Sequence, residues 1–118
     1  MPRKVAAYLA DIVEACDAIE AALAGVNLET YHTQRIIRSS VEREFILIGE
    51  AVGSILRLHP ELSRGISHAR IIVGFRNLLT HNYAAVDDET VYAVATADLP
   101  QLKSDCAALI RQVEEQGD

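Results

Sequence analysis

The chain has 118 residues, 50% of them apolar, with only six glycines and three prolines, which predicts one domain, residues 1–118, with a hydrophobic core. A net charge of −6 argues against general nucleic-acid binding through a basic surface. No stretch is apolar for long enough to span a bilayer, and the first ten residues hold only about six apolar residues, too few for a signal peptide, so we expect a cytoplasmic protein that does not enter membranes.

Two helical segments are predicted in the first half of the chain. The first runs from about Val5 to Leu23, because its apolar residues recur every three or four positions, and Gly25 is placed to end it. The second runs from about Thr30 to Leu58, with Thr30 as a plausible N-cap. His59-Pro60 closes this segment, because the residue before a proline avoids the helical conformation.

A third helical segment is predicted from about Ser67 to His81, with Ser67 as a candidate cap. The run Ile71-Ile72-Val73 could instead be a strand. We favour a helix because no partner strand is visible and the spacing of apolar residues at three and four positions continues past the run.

The fourth segment, from about Asp88 to Val113, has apolar residues close to a heptad spacing. Pro100 lies inside it and predicts a kink or short break, with Asp98 capping the second half. Strand-type alternation is nearly absent from the chain. The expected fold is therefore all-α, a compact four- or five-helix up-and-down bundle.

Three glycines interrupt the predicted helices: Gly49 and Gly53, one turn apart, and Gly74. A glycine inside a helix costs roughly 1 kcal/mol against alanine, a cost usually compensated by the close approach of another backbone. The alternative is that they are neutral substitutions. We expect the two cysteines, Cys16 and Cys106, to be buried, reduced thiols, since each falls on an apolar stripe.

Six polar or charged residues lie close together in "RNLLTHNY", residues 76–83, at the end of the third segment. Residues 30–83 carry seven arginines against four glutamates, whereas both flanking segments are acidic, so a polyanion would meet this part of the chain. Arg76 and His81 would point about 140° apart on a straight helix. They converge only if the helix ends between them or the arginine reaches around, and Asn82 is a good left-handed residue to follow a helix end.

The pair has a chemical and a structural interpretation. A histidine that exchanges a proton near neutral pH, beside a guanidinium that stabilises a dianion, suffices for RNA cleavage, because RNA supplies its own 2′-OH nucleophile. His32, His59 and His68 are scattered, so we predict no metal site and no cofactor. In the structural interpretation the pair forms a salt bridge and a cap, with Asp87 or Asp88 as the partner of Arg76.

Glu50, in the apolar stretch "IGEAV", is a further candidate. An unpaired carboxylate would be costly there, so either Arg76 is its partner or Glu50 faces water.

The pattern Arg76-x-x-x-x-His81-x-Tyr83 resembles the HepT-like toxins of the HEPN superfamily. The likeness covers nearly the whole chain, because "AYLADIVEACDAIE", "FILIGEAV", "FRNLLTHNYAAVD" and "DLPQLK" stand in that family's order and spacing. One departure is the loop before the third helix, where relatives often have an aromatic residue near His68.

The resemblance implies a homodimeric bundle with both motifs facing one cleft. It also implies a metal-independent RNase toxin, paired with a nucleotidyltransferase antitoxin that attaches AMP to the motif tyrosine. Arg76 would bind the scissile phosphate of the RNA substrate, His81 would transfer protons and Tyr83 would be the AMP acceptor. Asn77 could orient the phosphate or His81, or cap the helix. Two alternatives remain: a non-catalytic HEPN scaffold that binds nucleotides or partners, and an assembly protein whose motif is a dimer interface.

Overall fold

Seven α-helices occur in the part of the chain that the structure, a computed structural model, describes, residues 3–117. Four are long and three are short. In chain order they are α1 (Val5–Leu23), α2 (Leu28–Thr33), α3 (Arg35–Leu58), α4 (Pro60–Ser63), α5 (Ala69–His81), α6 (Asp88–Ala93) and α7 (Leu99–Glu115). No strand is found between residues 3 and 117, and the predicted all-α bundle is confirmed.

The longest helix, α3, organises the bundle. Helices α1 and α5 each pack against α3, and α7 packs against α1. The short helix α2 lies against α6 and the start of α3. The core consists of the apolar stripes that the sequence predicts, and its fully buried side chains include Leu9, Ile12, Ile19, Val41, Val52, Ile55 and Val91. None of the described helices combines the length and the apolar character needed to cross a membrane.

The second predicted segment is two helices, and its predicted N-cap is wrong. The Asn27 side chain caps α2 by accepting a hydrogen bond from the backbone N–H of Thr30 at 2.8 Å. At Gln34 the backbone is extended, with ψ of 91°, and α3 starts afresh at Arg35. Tyr31 on α2 is fully buried, and its ring lies 5.6 Å from that of Tyr92.

The predicted cap of the third segment is also wrong. Ser67 does not cap α5; its backbone N–H donates to Asp105 Oδ2 on α7 at 2.9 Å. His68, with a positive φ of 60°, then turns the chain into the helix. Burial opposes ionisation of Asp105, but the hydrogen bonds from Ser67 and Gln101 outweigh it and lower the pKa of that carboxyl. The loop before α5 is therefore docked on α7 by a charged hydrogen bond.

The break predicted near Pro100 is a π-helical turn, Val94–Asp98, that joins α6 to α7. Pro100 occupies the first turn of α7. It has no N–H to donate to the preceding π-helical turn, which ends at Asp98. Asp98 makes no side-chain capping bond, contrary to prediction. The chain stays helical through the turn, so no free helix start exists there for a side chain to cap.

The cysteine prediction is confirmed. Cys16 and Cys106 are free and buried. Burial raises the pKa of both thiols to about 12, so they remain protonated and unreactive at neutral pH.

The three helix glycines differ in their surroundings. Gly49 meets the close approach of a neighbouring helix, because a Cβ there would lie 2.1 Å from Arg76 Cβ on α5. At Gly53 the nearest atom would be Val73 Cγ2, at an ordinary 3.8 Å. At Gly74 a Cβ would meet nothing within 4 Å among the described residues. The close-approach hypothesis is thus confirmed for Gly49 and not for the other two.

Candidate active site

The Arg76 side chain lies between α5 and α3, in the last two turns of α5. Its Nη1 donates to Asn77 Oδ1 at 2.8 Å, and its Nη2 lies 3.6 Å from Glu50 Oε1 on α3. The side chain is 29% exposed, and its Nε is buried without a hydrogen-bond partner in residues 3–117. The guanidinium is therefore anchored on one side and open to solvent through its Nη groups.

Both expectations for Glu50 hold in part. Its carboxylate pairs with Arg76, and its side chain is still 53% exposed. A pair this open to water is screened and contributes little to stability, typically about 0–1 kcal/mol. Glu50 thus orients the guanidinium while leaving its outer edge free.

Of the roles considered for Asn77 from the sequence, helix capping is wrong, whereas orientation of the phosphate or of His81 stays a prediction. It is inside α5, so it does not cap the helix. Its amide oxygen accepts the bond from Arg76, and its amide is exposed. Asn77 and Glu50 thus contact different nitrogens of the same guanidinium, a geometry that limits its rotation.

His81 is the last residue of α5, and the helix is continuous from Arg76 to this position. The helix therefore ends after His81, as predicted, and not between the two residues, and the Arg76 side chain turns toward Glu50. Asn82 follows with φ of −137°, so the left-handed conformation predicted for it is wrong. His81 is exposed, and its ring makes no hydrogen bond or ion pair with the residues that the structure describes.

Tyr83 opens a single 3-10 turn, Tyr83–Ala85, between α5 and α6. The turn is closed by backbone bonds from Ala85 N to Asn82 O and from Val86 N to Tyr83 O, both 3.0 Å long. Tyr83 is 67% exposed. The tyrosine is accessible, as expected, but it is held on a hydrogen-bonded turn.

The two aspartates offered as partners of Arg76 are engaged elsewhere. Asp87 caps α6 by accepting from the backbone N–H of Glu89. Asp88 Oδ2 lies 3.0 Å from His32 Nδ1 and 3.8 Å from Arg38 Nε. These bonds tie the segment that follows Tyr83 to α2 and α3. Sequence analysis missed them, because a pairing across 56 residues leaves no local pattern.

The arrangement provides the parts of an anion site and, on the same helix, a titratable group. Arg76 supplies fixed positive charge that can bind a phosphate in two places. His81, five residues later on the same helix, supplies an imidazole open to solvent. No three His, Cys, Asp or Glu side chains between residues 3 and 117 are grouped so that they could hold a metal ion.

Comparison with known proteins bears on what this site does. The chain matches the profile of the family described as "Ribonuclease HepT-like" over residues 12–109. That range includes Glu50, Arg76, His81 and Tyr83. No solved structure gives a significant match to the chain.

Curated relatives match along almost their whole length. "Putative RNase MJ1216" of Methanocaldococcus jannaschii is 30% identical over 115 residues, which cover 97% of this chain and 94% of that protein. "Probable ribonuclease HepT" of Thermococcus cleftensis is 32% identical over 107 residues, covering 87% of this chain and 93% of its own. A chain with this all-helical bundle and a family match over most of its length belongs to the HepT-like ribonucleases, with a HEPN-like fold.

Proposed function

We propose that this protein is a metal-independent endoribonuclease that acts as the toxin of a toxin–antitoxin pair, with a nucleotidyltransferase as antitoxin. Membership of a ribonuclease family supports RNA as the substrate. The observation that carries the proposal is the Arg76 guanidinium, held by Glu50 and Asn77 with its Nη edge open, on the helix that ends in an exposed His81.

The chemistry uses the nucleophile of the RNA itself. His81 accepts the proton of the 2′-OH, the 2′-oxygen attacks the adjacent phosphorus, and the bond from phosphorus to the 5′-oxygen breaks. The 5′-oxygen leaves with a proton from solvent, and a 2′,3′-cyclic phosphate remains on the upstream fragment. Arg76 donates hydrogen bonds to the phosphate oxygens, where negative charge builds up in the transition state.

Two positioning contacts support this role for Arg76. A guanidinium free to rotate would lose side-chain entropy on binding each phosphate. The hydrogen bond to Asn77 and the looser ion pair with Glu50, at 3.6 Å, restrict this rotation before RNA arrives, so less side-chain entropy is lost in the transition state.

A homodimer would bring the separated groups together. Within one chain the Arg76 side chain turns toward α3, while His81 sits at the helix end about 140° around the axis. Two copies facing one cleft would place two guanidiniums and two imidazoles around the same RNA. Exposed apolar side chains on these helices, Ile36 at 85% and Ile71 at 69%, are consistent with a surface that a second copy covers.

The alternative, a non-catalytic scaffold, is less well supported. A structural histidine is usually hydrogen-bonded, whereas the His81 ring is exposed and contacts no described polar group. A scaffold would also have no need of arginine, histidine and exposed tyrosine on one short stretch.

Neutralisation would act at Tyr83. Its phenol oxygen attacks the α-phosphorus of ATP on the antitoxin, pyrophosphate leaves, and the phenolic proton is lost to solvent. The remaining tyrosines are poor acceptors: Tyr31 is buried, the Tyr92 hydroxyl donates to Val26 O at 2.8 Å, and the Tyr8 ring lies under Arg3. An AMP group on Tyr83 adds bulk and negative charge next to the anion site and so competes with RNA.

The dimer is testable in solution. Multi-angle light scattering of the purified protein at micromolar concentration should give twice the 12.9 kDa mass of one chain. A mass of one chain under these conditions would contradict the dimer and the shared cleft with it.

Arg76→Ala and His81→Ala should each abolish RNA cleavage and growth inhibition without unfolding the protein. Loss of one transition-state contact costs on the order of 3 kcal/mol, a hundredfold or more in kcat. Arg70→Ala, an exposed arginine on the same helix, and His59→Ala are matched controls and should retain kcat. Wild-type cleavage by the His81 variant, or loss of the folded state in both variants, would assign the motif a structural role.

Cleavage should proceed in EDTA, because the 2′-OH is the nucleophile and His81 is the base. Mass spectrometry of the upstream fragment should find a 2′,3′-cyclic phosphate or its opened product. Activity that disappears in EDTA and returns with magnesium would refute the mechanism.

Co-expression with the proposed nucleotidyltransferase antitoxin should add AMP to Tyr83, detected by peptide mass spectrometry. Tyr83→Phe should cleave RNA like the wild type but escape neutralisation, because it keeps the ring and lacks the acceptor oxygen. Tyr8→Phe is the matched control and should still be neutralised. Adducts confined to Tyr8, Tyr31 or Tyr92, or suppression of toxicity with no adduct, would overturn this model of regulation.

A further inference from the structure

Helices α3 and α5 make their tightest glycine contact where Gly49 faces Arg76. A Cβ on Gly49 would lie 2.1 Å from Arg76 Cβ and 2.6 Å from its Cγ, and 3.5 Å from its Cα. Non-bonded carbon atoms have their optimal separation at about 3.5–4.0 Å, so the first two distances are prohibitive. Any residue other than glycine at position 49 must push α5 away or turn Arg76 out of its place.

The requirement for glycine is confined to the point where Gly49 on α3 faces Arg76 on α5. Gly53, one turn further along α3, would place its Cβ at an ordinary 3.8 Å from Val73 Cγ2. Gly74, two residues before Arg76 on α5, would place its Cβ in open space relative to the described residues. Of these three helix glycines, only Gly49 is required by its surroundings.

The close contact determines where the guanidinium can go. The first carbons of the Arg76 side chain lie against the backbone of α3, and its Nε is buried there without a partner among residues 3–117. The side chain can then present only its Nη groups to the outside. One of them reaches Asn77, and the other reaches Glu50, the residue that follows Gly49 on α3.

We infer that Gly49 is a positioning residue for Arg76: its missing Cβ creates the space in which the arginine stem lies, and so fixes the direction of the guanidinium. The catalytic consequence rests on the proposed ribonuclease function, whereas the contact itself does not. Glu50 and Asn77 then hold a group whose place Gly49 has already set.

Thermal unfolding tests the contact independently of activity. Alanine is a better helix former than glycine, so Gly53→Ala should raise the unfolding midpoint. Gly49→Ala should lower it because of the clash. In an Arg76→Gly background, which removes both clashing carbons, Gly49→Ala should instead raise the midpoint. If Gly49→Ala shifts the unfolding midpoint in the same direction with and without Arg76, the inference about the contact is wrong.

Exchange of the Arg76 Nε–H with solvent tests the position of the side chain. Its NMR resonance, assigned by its loss in Arg76→Lys, should exchange slowly in the wild type because Nε is buried. Exchange should accelerate in Gly49→Ala and stay slow in Gly53→Ala. Slow exchange in a folded Gly49→Ala variant would show that the guanidinium is positioned without this glycine.

Kinetics complete the test. Below its unfolding midpoint, Gly49→Ala should lose kcat and kcat/KM equally, by on the order of a hundredfold, as a displacement of about 1 Å in a catalytic group does. Gly53→Ala should keep both values. Wild-type kcat in Gly49→Ala would overturn the positioning role. An inactive wild-type protein would refute the proposed function alone, because unfolding and exchange still decide the inference.

Discussion

The packing of Arg76 against Gly49 is the contact on which the candidate site depends. Helix α3 contacts both α1 and α5, and at Gly49 it lets α5 approach so closely that the arginine stem touches backbone. A glycine in a helix costs roughly 1 kcal/mol, and here the cost is offset by the tight packing that it permits. The position of a charged group is thus set by an apolar contact.

That contact leaves the polar part of the site imperfectly satisfied. A buried donor without a partner, such as Arg76 Nε, costs about 1–3 kcal/mol. The ion pair with Glu50 offsets little of this free-energy cost, since the carboxylate is half exposed and 3.6 Å away. Packing therefore holds the arginine, and the carboxylate of Glu50 is only loosely bound to it. Polar groups that lack a full set of hydrogen bonds are typical of functional sites.

The segment after α5 combines exposure with restraint. Tyr83 projects into solvent from a turn closed by two backbone hydrogen bonds. Beyond the turn, Asp87 caps α6 and Asp88 pairs with His32 and Arg38. Burial, together with the charge of Asp88, raises the pKa of nearby Glu42. Tyr83 is therefore exposed on a turn that is restrained by its own backbone bonds and by the contacts of the segment after it.

The sequence by itself determined the four long helices, the reduced cysteines and the stretch where polar residues gather. These depend on periodicity and residue type, which local chemistry fixes. The caps predicted at Thr30, Ser67 and Asp98 are wrong, because tertiary packing decides at which residue a helix begins. Only the tertiary structure decided that Asp105 holds the Ser67 loop, that Glu50 pairs with Arg76, and that Gly49 rather than Gly53 meets α5. The two glycines look alike in the sequence, and the place where two helices cross is set by the fit of side chains along both of them.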